Sequence, residues 1–178
     1  MEPMKVKIKR LSDRAVVPTR GSTSAAGYDL YACLPDGIDS ITVRETPLEK
    51  IPAFAVPTGW AFEIPEGYFG AIFARSGLAK NNGIRPANCV GVVDSDYRGE
   101  VKVAVRNDTW FQAKILSGDR IAQLVVLPYL PVEFEESDTL SDTERGEGGF
   151  GSTGTGVETP EHGAEQLSLF DYDDEGER

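Results

Sequence analysis

The ten residues from Gly91 to Glu100, Gly-Val-Val-Asp-Ser-Asp-Tyr-Arg-Gly-Glu, carry the clearest structural signal in the chain. An apolar run at 89–93 overlaps their N-terminal end, and residues 101–106 alternate apolar and polar side chains after them. Two strand patterns around a turn that contains Asp, Ser and Gly predict a β-hairpin. A fixed Asp94 beside the Tyr97 ring suits a site that activates water next to a flat or sugar-like ligand. The same residues also fit a solvated turn, where Asp is common.

The rest of the sequence is mostly a series of short strand patterns. No window shows a sustained 3.6-residue apolar period, and only residues 74–83 suggest one short helical turn. Small residues from position 22 lead into a short predicted strand that carries Asp29, and the segment 33–52 is irregular apart from a short strand at 41–43. The other predicted strands are 4–11, 54–64, 68–73, 110–115 and 121–127. Many short strands at regular spacing predict an all-β fold, either a sandwich or a jelly-roll-like barrel.

Composition indicates an ordinary globular protein. The 178 residues are enough for one domain with a real core, and 40% are hydrophobic and 26% charged. No apolar run approaches the length of a membrane span, and the N-terminus lacks a signal-peptide pattern. Cys33 and Cys89 match no metal or redox spacing. These features predict a cytoplasmic protein with core cysteines and no membrane partner.

The net charge of −11 is concentrated in the C-terminal quarter of the chain. Residues 133–178 hold 15 acidic and 2 basic residues, whereas residues 1–132 hold 14 acidic and 16 basic ones. The body therefore carries no broad basic surface, which disfavours direct binding of nucleic acid. A small phosphorylated ligand remains possible if a few arginines and backbone amides converge on it.

A glycine-rich segment, Arg145-Gly-Glu-Gly-Gly-Phe-Gly-Ser-Thr-Gly154, lies within the acidic part. It fits a flexible linker, but it also fits a lid that wraps phosphates, since glycines let backbone N–H groups approach and Arg supplies a fork of donors. The only histidine, His162, is in the acidic tail, and no His/Cys cluster is present to hold zinc. The remaining candidates for a general base are therefore carboxylates. The remaining candidate for a metal is a hard cation such as Mg²⁺, held mainly by a polyphosphate.

Five segments in order resemble the motifs of the trimeric dUTPase (deoxyuridine triphosphate nucleotidohydrolase) family. They are Ala26-Gly-Tyr-Asp-Leu-Tyr31, Arg75-Ser-Gly-Leu-Ala79, Gly91 to Gly99, Gly118-Asp-Arg-Ile-Ala-Gln123 and Arg145 to Gly154. The chain departs from the family pattern at Ala74, where proline is common, and in the longer segment 33–52. The resemblance extends over residues 24–154 and says nothing about 155–178.

The resemblance implies an all-β, jelly-roll-like homotrimer in which the C-terminal arm of one subunit closes the site of another. With the composition, it divides the chain into a β-barrel core at 1–132 and an acidic linker with the active-site arm at 133–154. From composition alone, we expect an acidic, disordered tail at 155–178. The implied activity is Mg²⁺-assisted hydrolysis of dUTP to dUMP and pyrophosphate, which limits uracil in DNA and supplies dUMP for dTTP synthesis.

The resemblance also assigns roles to individual residues. Asp94 corresponds to the base that activates water, and Tyr97 to the ring that packs on the deoxyribose and excludes a 2′-hydroxyl. Asp29 corresponds to the carboxylate that holds the water shell of magnesium, while Asp119 and Arg120 are expected to form a structural pair. The other substrate contacts are Asn88 and Val93 for uracil, Arg75, Ser76, Gly77 and Gln123 for the phosphates, and Arg145, Phe150, Gly151 and Ser152 in the arm, with Phe150 stacked on the base.

Two other functions fit the fold. A dCTP deaminase of the same fold generally lacks the Asp94-x-x-Tyr97 arrangement and would release ammonia rather than pyrophosphate. A nucleotide-sensing interaction protein would use dUTP binding more than turnover, with segment 33–52 as a contact surface. Purely structural roles also fit single residues: Asp29 could cap a turn, and Arg75 could form a surface ion pair.

The tail carries one motif outside the family pattern. Gln166, Leu167, Ser168, Leu169 and Phe170 match the bacterial sliding-clamp binding motif Gln-Leu-[Ser/Asp]-Leu-Phe at every position. Apolar residues within an acidic, apolar-poor tail are typical of a short peptide that docks in a partner's groove. Packing against the body of the protein, or a chance match, is the alternative.

Overall fold

Short antiparallel strands make up nearly all of the regular structure in the computed structural model, which describes residues 3–44, 54–88 and 90–149. The elements are β1 Lys7–Arg10, β2 Thr19–Arg20, β3 Tyr28–Tyr31, β4 Ser40–Val43, β5 Phe54–Pro57, β6 Trp60–Glu63, β7 Tyr68–Phe73, α1 Ser76–Asn82, β8 Ile84–Pro86, β9 Gly91–Val93, β10 Lys102–Asn107, β11 Ala113–Leu116 and β12 Arg120–Pro128. The all-β class predicted from the sequence is confirmed. No helix in these ranges is long and apolar enough to cross a membrane.

The strands form four sheets, of which the largest has the order β2-β3-β12-β7-β9. A three-stranded sheet has the order β5-β10-β8, and β1-β6 and β11-β4 form two-stranded sheets. Fully buried side chains from different sheets share one apolar core, among them Leu30, Val56, Val103, Ile115 and Ile121. The core therefore lies between the sheets.

The predicted β-hairpin around Asp94 is wrong in its pairing. Strand β9 pairs with β7, with Val93 opposite Gly70, whereas β10 pairs with β5 and β8 in a different sheet. The turn 94–100 is therefore a crossing between two sheets. Apolar strands on both sides of a turn do not fix their partners, because pairing depends on the faces that the rest of the fold buries.

The predicted strand 54–64 is interrupted at Thr58 and Gly59. Gly59 has φ +72, a left-handed conformation that favours glycine, and a Cβ there would lie 2.6 Å from the Cβ of Ala15. Strand β5 consequently joins the β10 sheet while β6 pairs with β1. Predicted strand 4–11 shortens to β1, and predicted strand 110–115 begins only at Ala113.

The other local predictions agree with the structure. Predicted strands 41–43, 68–73 and 121–127 correspond to β4, β7 and β12, and the helical turn is α1, which ends at Gly83 with φ +63. Strands β2 and β8 were not predicted, because two or three residues carry no detectable period. The chain divides into the units Met1–Glu133 and Phe134–Arg178, and every helix and strand given above belongs to the first.

Candidate active site

One cleft lies beside the crossing turn and has a volume of about 370 Å³. We call it the turn cleft; its lining includes Asn88, Val93, Asp94, Tyr97, Glu100 and Lys102. Four predicted substrate or catalytic residues thus come together around one cavity. The Asp94 side chain is exposed, so its carboxylate oxygens can accept a hydrogen bond from a molecule in the cleft.

The Tyr97 ring is held by the turn that carries it. Its backbone N–H donates to the carbonyl of Asp94 at 3.2 Å, and its hydroxyl donates to the carbonyl of Glu100 at 3.0 Å. A Cβ on Gly99 would lie 2.4 Å from the Tyr97 hydroxyl oxygen, so the absent side chain leaves the space that the ring tip occupies. The ring remains 46% exposed and can present a face to a ligand.

The Asn88 side chain also depends on a neighbouring glycine. A Cβ on Gly91 would lie 3.2 Å from the Asn88 amide nitrogen and 3.1 Å from the Cβ of Ile72. Glycine at position 91 therefore lets the Asn88 amide lie close to the backbone of β9. An amide beside strand backbone offers both donors and acceptors to the edge of a planar base.

A second cleft, of about 220 Å³, lies at the end of the central strands. We call it the arginine cleft; its lining includes Asp29, Arg75, Ser76, Gly77, Arg120 and Gln123. Asp29 is only 8% exposed, and its carboxylate oxygens lie 2.7 Å from Arg75 Nε and 3.4 Å from Arg120 Nη1. Two guanidinium groups around one carboxylate leave one surplus positive charge. The arginine cleft is therefore suited to an anion.

The central position of β12 explains why these residues meet. In the strand register Gln123 lies opposite Asp29 on β3 and opposite Phe73 on β7. The Gln123 amide nitrogen donates to the carbonyl of Ala74 at 2.9 Å, next to Arg75. A Cβ on Gly27 would lie 2.5 Å from the Gln123 amide oxygen, so this glycine makes room for the side chain.

The expected pair between Asp119 and Arg120 is wrong. The Asp119 carboxylate accepts a hydrogen bond from the backbone N–H of Leu116 at 2.7 Å, which closes the turn before β12. Arg120 instead reaches Asp29 and lines the arginine cleft. Sequence reasoning missed Arg120 as a site residue. Because Arg120 directly follows Asp119, a local ion pair between them explained both residues. The carboxylate that Arg120 contacts belongs to Asp29, which lies 91 residues away in the chain.

The arginine cleft does not provide a protein-built metal cage. Asp29 is its one lining carboxylate, and no group of three His, Cys, Asp or Glu side chains in the described ranges could hold a metal ion. Mg²⁺ prefers six oxygen ligands and retains water readily. One carboxylate, already paired with two arginines, fits an ion whose other ligands come from a bound molecule and from water.

The arm residues belong to the second unit. Arg145 donates from Nε to the carbonyl of Gly148 at 2.7 Å, and Gly146 has φ +50, so this part of the segment is a tight turn. Phe150, Gly151 and Ser152 lie outside the described residues, as do the tail motif 166–170 and positions 45–53.

A sequence model of the dUTPase family matches residues 13–154. The chain belongs to the dUTPase family. The deoxyuridine 5′-triphosphate nucleotidohydrolase of Beijerinckia indica is 44% identical over 156 residues, which cover 86% of this chain and 94% of that protein. The Desulfitobacterium hafniense enzyme of the same name is 46% identical over 157 residues, covering 86% of this chain and 99% of that one.

Solved structures agree with this family membership. The dUTPase of Staphylococcus bacteriophage 80alpha, solved as a mutant with dUpNHpp, superposes with a TM-score of 0.72 at 26% identity and covers 85% of this chain and 99% of that one. The resemblance drawn from five motifs and the predicted enzyme class, a dUTP diphosphatase, are confirmed at the level of the family. The dUTPase match ends at residue 154, so the tail 155–178 lies outside it.

Proposed function

We propose that this chain hydrolyses dUTP to dUMP and pyrophosphate, by attack of water on the α-phosphorus. The observation that carries the proposal is the turn cleft, where Asp94, Tyr97 and Asn88 come together inside the segment that matches the dUTPase family. In the cell this reaction limits uracil in DNA and supplies dUMP for dTTP synthesis, and we place it in the cytoplasm.

Asp94 is the general base of the proposed reaction. Its exposed carboxylate takes a proton from water as the water attacks phosphorus. Asn88 and the backbone at Val93 read the edge of uracil, and the same turn crowds the methyl group of thymine. The Tyr97 ring packs on the deoxyribose and leaves no room for a 2′-hydroxyl.

The arginine cleft is the proposed site for the phosphates. Arg75 supplies charge-assisted hydrogen bonds to the phosphates, and Ser76 and Gly77 supply further donors at the start of α1. Gln123 also lines the cleft. We add Arg120 to this group, since its guanidinium shares Asp29 with Arg75. Magnesium, when bound with the triphosphate and reached by Asp29 through water, supplies additional neutralisation of the phosphate charge.

The active unit is proposed to be a homotrimer. The turn cleft and the arginine cleft share no lining residue within one chain, as expected if a complete site combines clefts from different subunits. Leu130 and Val132 after β12 are 86% and 70% exposed, and association would cover such apolar side chains. The arm of one subunit, through Arg145, Phe150, Gly151 and Ser152, closes the site of another.

Pyrophosphate release from dUTP, UTP, dTTP and dCTP tests the proposal, with ammonia measured in parallel. We expect pyrophosphate from dUTP alone, and a fall of about 10²- to 10⁴-fold in Asp94→Asn, because the amide cannot take the proton. Asp96→Asn is the matched control, since it makes the same chemical change on the same exposed turn. Normal turnover in Asp94→Asn contradicts the mechanism, and ammonia from dCTP favours the deaminase.

We also propose that the tail contacts a bacterial sliding clamp through Gln166, Leu167, Ser168, Leu169 and Phe170. Two sequence facts support the contact: the motif matches at all five positions, and it lies beyond the end of the family match at residue 154. Such a contact would bring dUTP removal to the replication machinery. The acidic residues on both sides of the motif would disfavour non-specific contact with DNA.

A peptide of residues 160–178 tests the contact by titration against the clamp of the same host. We expect weak binding, abolished by Leu169→Ala with Phe170→Ala and retained by Tyr172→Ala, which lies outside the motif. In the full chain, the double substitution should leave dUTP hydrolysis unchanged. Absence of binding by the unchanged peptide at high micromolar concentration would contradict the proposal.

A further inference from the structure

The crossing turn that carries Asp94 and Tyr97 needs an anchor that its flanking strands do not provide. Strand β9 pairs with β7 and strand β10 with β5 and β8, so no strand pairing within the described ranges joins the two ends of the turn. A turn between two sheets can tilt with either one. Its internal shape is supported by Arg98, whose Nη1 donates to the carbonyls of Ser95 and Tyr97, and its placement on the protein must come from contacts at its ends.

Within the turn, the Tyr97 side chain is hydrogen-bonded to the backbone of Glu100. The Tyr97 hydroxyl donates to the Glu100 carbonyl at 3.0 Å, and the absence of a side chain at Gly99 allows this approach. The ring tip is thus attached to residue 100, while the Tyr97 N–H is attached to the carbonyl of Asp94 at 3.2 Å. Whatever fixes residue 100 also fixes the ring relative to Asp94.

The Glu100 carboxylate is bonded to the corner between β5 and β6. Its Oε1 accepts a hydrogen bond from the Gly59 N–H at 2.9 Å, and its Oε2 lies 3.6 Å from Lys102 Nζ. The next residue continues the attachment, since the Val101 N–H donates to the Trp60 carbonyl at 2.9 Å. The Glu100 side chain is only 25% exposed, so solvent competes weakly for its hydrogen bond.

The corner itself cannot move easily. A Cβ on Gly59 would lie 2.6 Å from the Cβ of Ala15 and 2.9 Å from Cys33 Sγ, both of which are buried. The buried Thr58 hydroxyl donates to the Val101 carbonyl at 2.6 Å. Glu100 therefore connects the turn cleft to a tightly packed part of the core.

We propose that Glu100 is a positioning residue of the turn cleft. Its carboxylate, held on the Gly59 N–H, sets the place of the Tyr97 ring and so the discrimination between deoxyribose and ribose. The consequence for specificity rests on the proposed dUTP hydrolysis, whereas the position of the ring does not. Supporting contacts of this kind hold site residues to within a fraction of an ångström.

The test compares Glu100→Ala, which removes the acceptor, with Glu100→Gln, which keeps an oxygen able to accept from Gly59. In Glu100→Ala we expect the kcat/KM for dUTP to fall by roughly 10- to 100-fold, mainly through KM, and the preference for dUTP over UTP to weaken. In Glu100→Gln both quantities should stay within about threefold of the unchanged protein. The structural control is Ser117→Ala, which removes a partly buried hydrogen bond to the Leu34 N–H outside the lining of the turn cleft and should lower stability without changing the dUTP-to-UTP ratio.

A second readout separates this inference from the proposed activity. With ¹³C-labelled tyrosine, the Tyr97 ring signals should shift or broaden in Glu100→Ala and remain in place in Glu100→Gln. If the unchanged protein does not hydrolyse dUTP, the proposed function fails, and the ring signals still decide the role of Glu100. Unchanged ring signals in Glu100→Ala overturn the inference, as does an equal loss of selectivity in Ser117→Ala or in Glu100→Gln.

Discussion

Gly99→Ala should reduce activity while leaving stability almost unchanged. The added Cβ would lie 2.4 Å from the Tyr97 hydroxyl oxygen and 2.6 Å from its Cζ. Carbon and oxygen atoms in ordinary contact are about 3.5 Å apart, so the ring tip must move by about 1 Å. It can do so because the ring is 46% exposed and only its far end is crowded.

The expected change in stability is the difference of two small terms. Moving the ring breaks the hydrogen bond between the Tyr97 hydroxyl and the Glu100 carbonyl, whose net contribution at an exposed site is near the lower end of about 0.5–1.5 kcal/mol. Replacing glycine by alanine reduces the conformational entropy of the unfolded chain and returns about 0.4–1 kcal/mol where the backbone is compatible. The free energy of unfolding should therefore change by less than about 1 kcal/mol.

Activity should change much more, because a displacement of about 1 Å in a site can cost on the order of 100-fold in rate. The measurement is kcat/KM for dUTP from pyrophosphate release, together with urea unfolding. Gly37→Ala is the matched control: its φ is +78 with nothing within 4 Å, so it should cost about 1–2 kcal/mol of stability and no activity. Normal dUTP hydrolysis in Gly99→Ala would refute a role for the Tyr97 position.

Two further outcomes follow from charged pairs. Asp29→Asn removes the carboxylate that both Arg75 and Arg120 contact, so urea unfolding should show a loss of about 2 kcal/mol. The two guanidinium groups lose the partner that orients them, and this loss of orientation should raise the KM for dUTP although the cleft becomes more positive; an unchanged KM would count against the arginine cleft as the phosphate site. The hydrogen bond and charge of Lys7 lower the pKa of Glu63 from its ordinary 4.5. The pair therefore contributes to stability above that ordinary value and loses its contribution as the pH falls through the lowered pKa, so the effect of Lys7→Ala on unfolding should be present near pH 7, vanish in acid and weaken with salt.

The sequence predicted the local features of this protein well. Residues that a turn or a glycine positions directly, such as Asp94 and Tyr97, line one cleft as expected, and α1 lies within the segment 74–83 that suggested a helical turn. Gly83 ends that helix with a left-handed backbone, which its sequence position indicates. In these cases the physical cause lies within a few residues of its effect.

Strand pairing could not be predicted in the same way. A run such as 54–64 is apolar on both sides of Gly59, and only the approach of Ala15 and Cys33 shows why the chain turns there. The partner of Arg120 was missed for a similar reason, since the strand register brings Asp29 to it from a distant part of the chain. Whether a strand or a charged side chain pairs with a neighbour in the sequence or with a distant segment is decided by tertiary structure.

The central place of β12 has a consequence for how the protein is made. This strand ends at Pro128 and lies between β3 and β7, whose sequences leave the ribosome much earlier. Until it emerges, the nascent chain holds apolar strands that lack their middle partner, a state open to aggregation and proteases. A stop codon before residue 120 should therefore direct the product to degradation, whereas a stop codon after residue 133 would release a chain with the sheet complete.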